Sequence, residues 1–214
     1  MPAAEHEQRD PSAFFEVAGR QRACRAFSDE PVDDATVLRL LEAATRAPSA
    51  ENTQPWVFVV VRDPARRAAI GELTRKAWAQ GARRHSEGRL APALLEDVDR
   101  GARGGIAEAP VLVVAAGDTR LALEVVLGAS IYPAIQNLLL GATALGLGSA
   151  LTTLPTVLGD ELAAVVGLPP EVKPLAVVPL GWPARPLGPP RRLPVSEKAY
   201  AEVYGTPLAG PGGS

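Results

Sequence analysis

Apolar positions recur along this chain with two different spacings, and the changes between them mark out its elements. From Asp33 to Arg46, Val37, Leu40, Leu41 and Ala44 form one stripe at helical spacing, with Asp33 or Asp34 where an amino-terminal cap belongs. A second helical pattern runs through Ala134, Leu138, Gly141, Ala142 and Leu145 and stops at Gly146 and Gly148. Because that segment is apolar all round, it predicts a buried helix packed against another copy of itself. Shorter helices are predicted over Ser12 to Gly19 and Thr156 to Val166. Four apolar runs, 56–62, 109–116, 149–153 and 175–180, lack strict alternation, which predicts strands covered on both faces.

The segment from Asp63 to Glu108 is charged, Arg-rich and broken by Gly71, Gly81, Gly88, Gly101 and Gly104-Gly105. It reads as helices forming a mobile cover with glycine hinges, or equally as an ordinary solvated helical pair. Leu187 to Ser214 reads as an extended proline-rich arm, with Ala209 to Ser214 expected to be disordered. No internal repeat is visible, and a single domain over residues 1–214 is the expectation.

Composition narrows the function classes. With 214 residues, 47% of them hydrophobic, and a formal net charge of -2, the chain is long enough for one sizeable core and offers no broad basic surface for nucleic acid. A lone Cys24 rules out an intrachain disulfide framework, and His6 and His85 alone give no metal-ligand constellation. A reducing cytoplasm is the expected location. The opening residues are polar and acidic. The apolar stretch from Val125 to Leu151 is interrupted by Gln136, Asn137 and glycines without close basic flanks, so no membrane span is expected. There is no Gly-x-Ser-x-Gly elbow, phosphate loop or dinucleotide fingerprint. A chain without its own nucleophile or metal must borrow chemistry from a cofactor or perform none. His85 reads as an exposed helix histidine rather than a proton donor to substrate, and Cys24 as a small buried filler rather than a redox centre.

Three blocks carry the candidate chemistry. In Ala47-Pro-Ser-Ala-Glu-Asn-Thr-Gln-Pro-Trp56, small residues at 48–50 let backbone approach a flat ligand, and Asn52 and Gln54 offer donors and acceptors to its edge. The same residues also suit a plain helix-to-strand turn with Trp56 as the first core residue. In Arg20-Gln-Arg-Ala-Cys-Arg-Ala-Phe-Ser28, Arg22 and Arg25 are close enough in sequence to converge on one oxyanion, and guanidinium forks match phosphate geometry. Near the far end lies Pro190-Arg-Arg-Leu-Pro194.

These blocks, with Gly181-Trp-Pro183 and the central helix from Ile135 to Ser149, resemble the nitroreductase-like family of FMN-dependent oxidoreductases across nearly the whole chain. The resemblance implies an α/β three-layer fold with a mixed central sheet flanked by helices, forming an intertwined homodimer with two FMN sites at the interface. It implies a phosphate clamp of Arg22 and Arg25, with Gln21 and Ala23 contributing backbone, and Arg191 and Arg192 arriving from the tail. Pro48, Ser49 and Ala50 would pack on the ring from the other subunit, with Asn52 and Gln54 nearby. Thr152 and Thr153 stand where the family often has Pro-x-Glu-Gly, leaving the Thr153 backbone as the donor near flavin N5. Gln21 and Ala23 replace the family's common Arg and Ser. The implied reaction passes hydride from NADH or NADPH to an electron-poor nitroaromatic or quinone by a ping-pong mechanism. Enone reduction, reductive dehalogenation and non-catalytic flavin binding are the alternatives.

Overall fold

In a computed structural model that describes residues 11–208, the helices and strands follow the apolar pattern except over 149–153, where strand is limited to Gly148–Ser149 and Thr152 makes an isolated bridge with Val177. The expectation for Ala209 to Ser214, and His6, lie outside the described residues. In chain order the elements are α1 (Ser12–Arg20), α2 (Asp34–Ala44), β1 (Trp56–Val61), α3 (Pro64–Ala77), α4 (Arg83–Ser86), α5 (Pro92–Arg100), α6 (Ile106–Glu108), β2 (Val111–Asp118), α7 (Leu127–Ala144), β3 (Gly148–Ser149), α8 (Gly159–Val166) and β4 (Val172–Gly181). Asp33 caps α2 by accepting the Thr36 N–H, as the sequence suggests.

The four strands form one sheet in the order β1-β2-β4-β3. All named pairs are antiparallel. The parallel component expected of a mixed sheet is an isolated bridge, Ala23 with Ser149. Every residue of β2 is buried, which explains its unbroken Val-Leu-Val-Val-Ala-Ala run. One core lies between the sheet and α2 and α7, around Leu40, Val113, Ile131, Ile135, Leu138 and Val178. The other lies on the opposite face, around Ile70, Leu73, Ile106, Leu112, Leu162 and Val177. Helices above and below the sheet give the three layers.

Helix α7 is the apolar segment foreseen as buried. Its Leu127, Ile131, Ala134, Ile135, Leu138, Leu139 and Ala142 face the core, and the buried Ser130 is the polar exception. Asn137 donates to the Ala43 carbonyl at 3.1 Å and ties α7 to α2. Glu124–Ala144 is long and apolar enough to cross a membrane by length and composition, but much of that apolarity is used in this core. The opposite side, with Tyr132 and Gln136, is open in the single chain.

The segment foreseen as a cover divides in two. Helix α3 is a core helix, burying Ile70, Leu73, Thr74 and Ala77. Beyond it, two π-helical turns, Trp78–Ala82 and Gly101–Gly105, bracket α4 and α5, and Gly81 and Gly104 sit at φ 147° and 138°, conformations that favour glycine. Helix α5 buries no residue. Asp99 holds this unit together, accepting the Trp78 indole N–H at 2.9 Å and pairing with Arg103 at 2.6 Å and Arg83 at 3.7 Å.

The chain after α1 is fixed to the sheet by contacts on both sides. Cys24 donates its N–H to the Ser149 carbonyl at 2.8 Å, Ser28 donates to Trp182 at 2.9 Å, and Ala184 donates to Ala26 at 3.0 Å. Gly148 makes the close approach possible, since a Cβ there would lie 2.6 Å from the Cys24 sulfur and 3.2 Å from Pro183. Cys24 is therefore the filler that the sequence suggests, buried with its thiol hydrogen-bonded to the Ala26 carbonyl. Burial pushes the thiol pKa up, and the Ala26 contact and nearby Arg25 and Arg22 only partly offset it, so Cys24 is a poor nucleophile.

Two outcomes follow from this packing. Gly148→Ala overpacks the joint and is expected to lower unfolding free energy by about 1–3 kcal/mol in urea denaturation, with Cys24 becoming reactive to thiol reagents in the folded protein. The indole N–H of Trp78, followed by Arg103 and Arg83, holds the Asp99 carboxyl below its ordinary 3.8. A depressed carboxyl stabilises the fold above its unfolded value, and that contribution disappears as pH falls through the folded value. The stability gap between wild type and Asp99→Asn is thus expected at neutral pH and to narrow below about 3.8. A gap that widens in acid contradicts this role.

Candidate active site

Anchoring residues 23–28 between β3 and the chain leaving β4 brings the two basic blocks together. Arg22, Ala23, Arg25, Arg191 and Arg192 all line one cavity of about 780 Å³. Arg22 crosses to the tail and donates to the Gly188 carbonyl at 3.0 Å, a contact spanning 166 residues of sequence. Arg100 and Arg185 also face the cavity, against the carboxylates of Glu96 and Asp97. Six guanidinium groups and two carboxylates thus leave an excess of four positive charges. Planar donor forks in such excess suit a phosphate monoester, whose oxygens accept several charge-assisted hydrogen bonds at once.

The expected clamp residues differ in how they are held. Arg25 is paired with Asp97 of α5 at 2.8 Å, and its stem lies against Gly101, where a Cβ would come within 2.9 Å of Arg25 Cδ. Gln21 caps the end of α1, donating its N–H to Val17, and does not line the cavity. The exposed Arg191 and Arg192 sit on the tail, with Arg192 donating to the Arg191 carbonyl at 3.0 Å. Asp97, Arg100 and Arg185 were not foreseen. Asp97 and Arg100 lie in Glu-Asp-Val-Asp-Arg, which reads as a solvated helix face, and only the three-dimensional path of α5 sets it beside Arg25.

Pro48, Ser49, Ala50, Asn52 and Gln54 form a separate, conformationally loaded loop. Glu51, Asn52 and Gln54 adopt φ of 52°, 56° and 51°, a left-handed conformation uncommon for residues with side chains. The Ser49 hydroxyl accepts the Gln54 N–H at 3.0 Å, and the buried Ser130 of α7 accepts the Ala50 N–H at 3.2 Å. Gln54 Nε2 donates to the Asn52 carbonyl at 3.4 Å. Strain held this way, with Pro48, Ala50, Asn52 and Gln54 exposed, belongs to a functional loop better than to a simple connection.

In one chain this loop and the arginine cavity are far apart. The loop enters β1 at Trp56, opposite Gly117, which pairs with Lys173 on β4. The cavity lies by Ser149, opposite Leu180 at the other end of β4 and on the opposite edge of the sheet. At ordinary strand spacing and rise the two regions stand roughly 14 Å apart across the sheet and roughly 23 Å along it. No residue of the loop lines the cavity.

Thr152 and Thr153 lie on the cavity's side of the sheet. Thr152 pairs with Val177, giving its N–H at 3.0 Å and accepting the return N–H at 2.9 Å. Its N–H is thereby used internally. The Thr153 carbonyl accepts from Thr156, whereas its N–H has no hydrogen bond among the described residues. Thr153 is exposed, so its N–H remains available to a ligand. His85 is exposed on α4 beside Arg89 and does not line the cavity. Among the described residues there is no cluster of three or more His, Cys, Asp or Glu that would hold a metal.

Comparisons with known proteins give the family of the chain. The chain is 34% identical over 200 residues to an NADH dehydrogenase of Thermus thermophilus, covering 84% of this chain and 91% of that protein. It is 29% identical over 179 residues to iodotyrosine deiodinase 1 of Rattus norvegicus, covering 80% of this chain and 62% of the deiodinase. Among solved structures, a candidate nitroreductase from Desulfovibrio desulfuricans in complex with FMN superposes with a TM-score of 0.70 at 26% identity, covering 92% of this chain and 99% of that one. An iodotyrosine deiodinase bound to FMN and 3-iodo-L-tyrosine superposes at 0.67 with 25% identity, covering 85% and 96%. The family model described as the nitroreductase family matches residues 18–182, and the chain belongs to that family.

Proposed function

We propose that this protein is an FMN-dependent oxidoreductase that uses NADH or NADPH to reduce an electron-poor acceptor of the nitroaromatic or quinone type. The observation that carries this reading is the convergence of Arg22 and Arg25 with Arg191 and Arg192 on one cavity, a donor set matched to a phosphate monoester. FMN-bound relatives and the Thermus NADH dehydrogenase support the cofactor and the electron donor.

Arg22, Arg25, Arg191 and Arg192 hold the cofactor's phosphate, and the Thr153 N–H is the backbone donor for the ring edge. Pro48, Ser49 and Ala50, with Asn52 and Gln54, complete the site from a second copy of the chain. Several observations support that dimer. Phe14 and Phe15 of α1 are 61% and 67% exposed, Val125 before α7 is 87% exposed, and Tyr204 on the tail is 89% exposed. Covering these side chains is what a second copy would contribute. When bound, the flavin supplies hydride acceptance and donation. The protein orients both reactants over one ring and excludes water from it.

A second reading, reductive dehalogenation, is favoured by the deiodinase similarity, and a panel of nitroaromatic, quinone, enone and haloaromatic acceptors separates the candidates. Thr152 and Thr153 replace the family's acidic turn. A flavin-binding protein without turnover would bind FMN and fail to be bleached by NADH or NADPH.

Arg22→Ala is expected to weaken FMN binding by about 1.5–3 kcal/mol, the loss of one charge-assisted hydrogen bond, as read by flavin fluorescence titration. Unchanged affinity removes the phosphate assignment. With no dinucleotide fingerprint in the sequence, donor and acceptor take turns over one ring. Varying both is expected to give parallel double-reciprocal lines. Intersecting lines point instead to a second nucleotide site.

A further inference from the structure

We propose that Asp97 is the resident counter-anion of the arginine cavity. It pairs with Arg25 while no phosphate monoester is bound and gives Arg25 up when one enters, so that anion binding frees helix α5 from the sheet edge. This rests on the cavity's reading as a phosphate site, although it needs an anion there and not a flavin.

Arg25 is not an idle donor awaiting ligand. Its Nη1 lies 2.8 Å from Asp97 Oδ2, with the two side chains only 24% and 30% exposed. A ligand that takes Arg25 into its own hydrogen bonds must therefore displace a carboxylate from the same cavity. Asp97 is poorly equipped to resist. Its contact with Arg25 is the one hydrogen bond its carboxylate makes among the described residues, whereas Asp99, two residues on, is held by Trp78, Arg83 and Arg103. A phosphate monoester carries up to two charges and three acceptor oxygens, and reaches several guanidinium groups where Asp97 reaches one. Its arrival also sets like charge beside the Asp97 carboxylate. Exchange is the favourable outcome. Glu96 is the cavity's other carboxylate, and it stands 3.8 Å from Arg100 with most of its side chain in solvent, so it need not move.

Helix α5 is built to respond. It buries no residue, it starts at Pro92, and it ends in the π-helical turn that contains Gly104 at φ 138°. Arg25–Asp97 is its direct ion pair to the sheet-edge segment, while Asp99 ties it only to the neighbouring turns. Releasing Asp97 leaves α5 attached through its ends. A ligand without an anionic group has no means of doing this, which makes Asp97 a discriminating element. The closed pair lowers the apparent affinity of every anion by the fraction of time that Arg25 is free.

The test is hydrogen exchange of residues 92–105 in the full-length protein and in Asp97→Asn, alone and with FMN, riboflavin or inorganic phosphate. FMN titrations by flavin fluorescence run in parallel. In wild type, FMN and inorganic phosphate are expected to raise exchange in 92–105, and riboflavin is expected to leave it unchanged. In Asp97→Asn, exchange is already raised without ligand, and FMN binds roughly tenfold more tightly because no pair has to open. Bound FMN that leaves 92–105 unchanged or more protected in wild type overturns the proposal. So does weaker FMN binding by Asp97→Asn, which makes Asp97 a positioning group for Arg25 instead. If FMN fails to bind while inorganic phosphate raises exchange, the switch stands and the flavin reading falls. If neither anion changes exchange, the switch falls.

Discussion

Cys24 lies against Gly148 with its N–H on the Ser149 carbonyl, and the candidate site depends on that joint. Ser28 and Ala26 then engage the chain leaving β4 through Trp182 and Ala184. A single stretch is thereby bonded to β3 on one side and to the start of the tail on the other. This is why arginines from both ends of the sequence reach one cavity: Arg22 and Arg25 flank the joint, and the tail is held beside it at Gly188. A larger residue than glycine at 148 would separate these surfaces. The pairing of a small residue with a buried thiol is thus a condition for the electrostatics.

The second constraint is distance. The strained loop from Pro48 to Gln54 and the arginine cavity occupy opposite edges and opposite ends of one sheet. Each has its own hydrogen bonds, and no residue of the loop lines the cavity in the single chain. Exposed Phe14 and Phe15, the apolar approach to α7 and the tail supply the surface through which a second copy would bring its loop to the cavity. Under the proposed dimer, dimerisation and cofactor binding would become one problem, because the surface that buries the apolar residues would also complete the site.

Much of this was legible in the sequence because it depends on local pattern. Strand runs at 56–62 and 175–180 and the helix capped by Asp33 follow from the spacing of apolar residues and one side-chain cap. The phosphate arginines were legible as a type of chemistry, two forks separated by two residues. Their partners were not. The Arg25–Asp97 pair joins residues 72 apart through the path of α5, and nothing in the local composition around Asp97 distinguishes it from a solvated helix face. Helix α3, read as part of a cover, is seated in the core for a related reason. Polar residues dominate α3, yet Ile70, Leu73 and Ala77 suffice to seat it in the core, and the glycine-marked π-helical turns begin only after it. The sheet direction was also beyond local reading, since buried runs look alike in parallel and antiparallel sheets.

The central claim is that one site takes its phosphate clamp from one chain and its ring-packing loop from another, and subunit mixing tests it most directly. Arg22→Ala removes a clamp residue and Ser49→Trp blocks the loop, so each variant alone should bind FMN poorly. After the two are unfolded together and refolded, each heterodimer regains one site with a wild-type clamp and a wild-type loop. The account predicts recovery of tight FMN binding at about a quarter of all sites with random pairing of subunits. A mixture that binds no more FMN than its two components, although heterodimers have formed, would contradict it and place the whole site within a single chain.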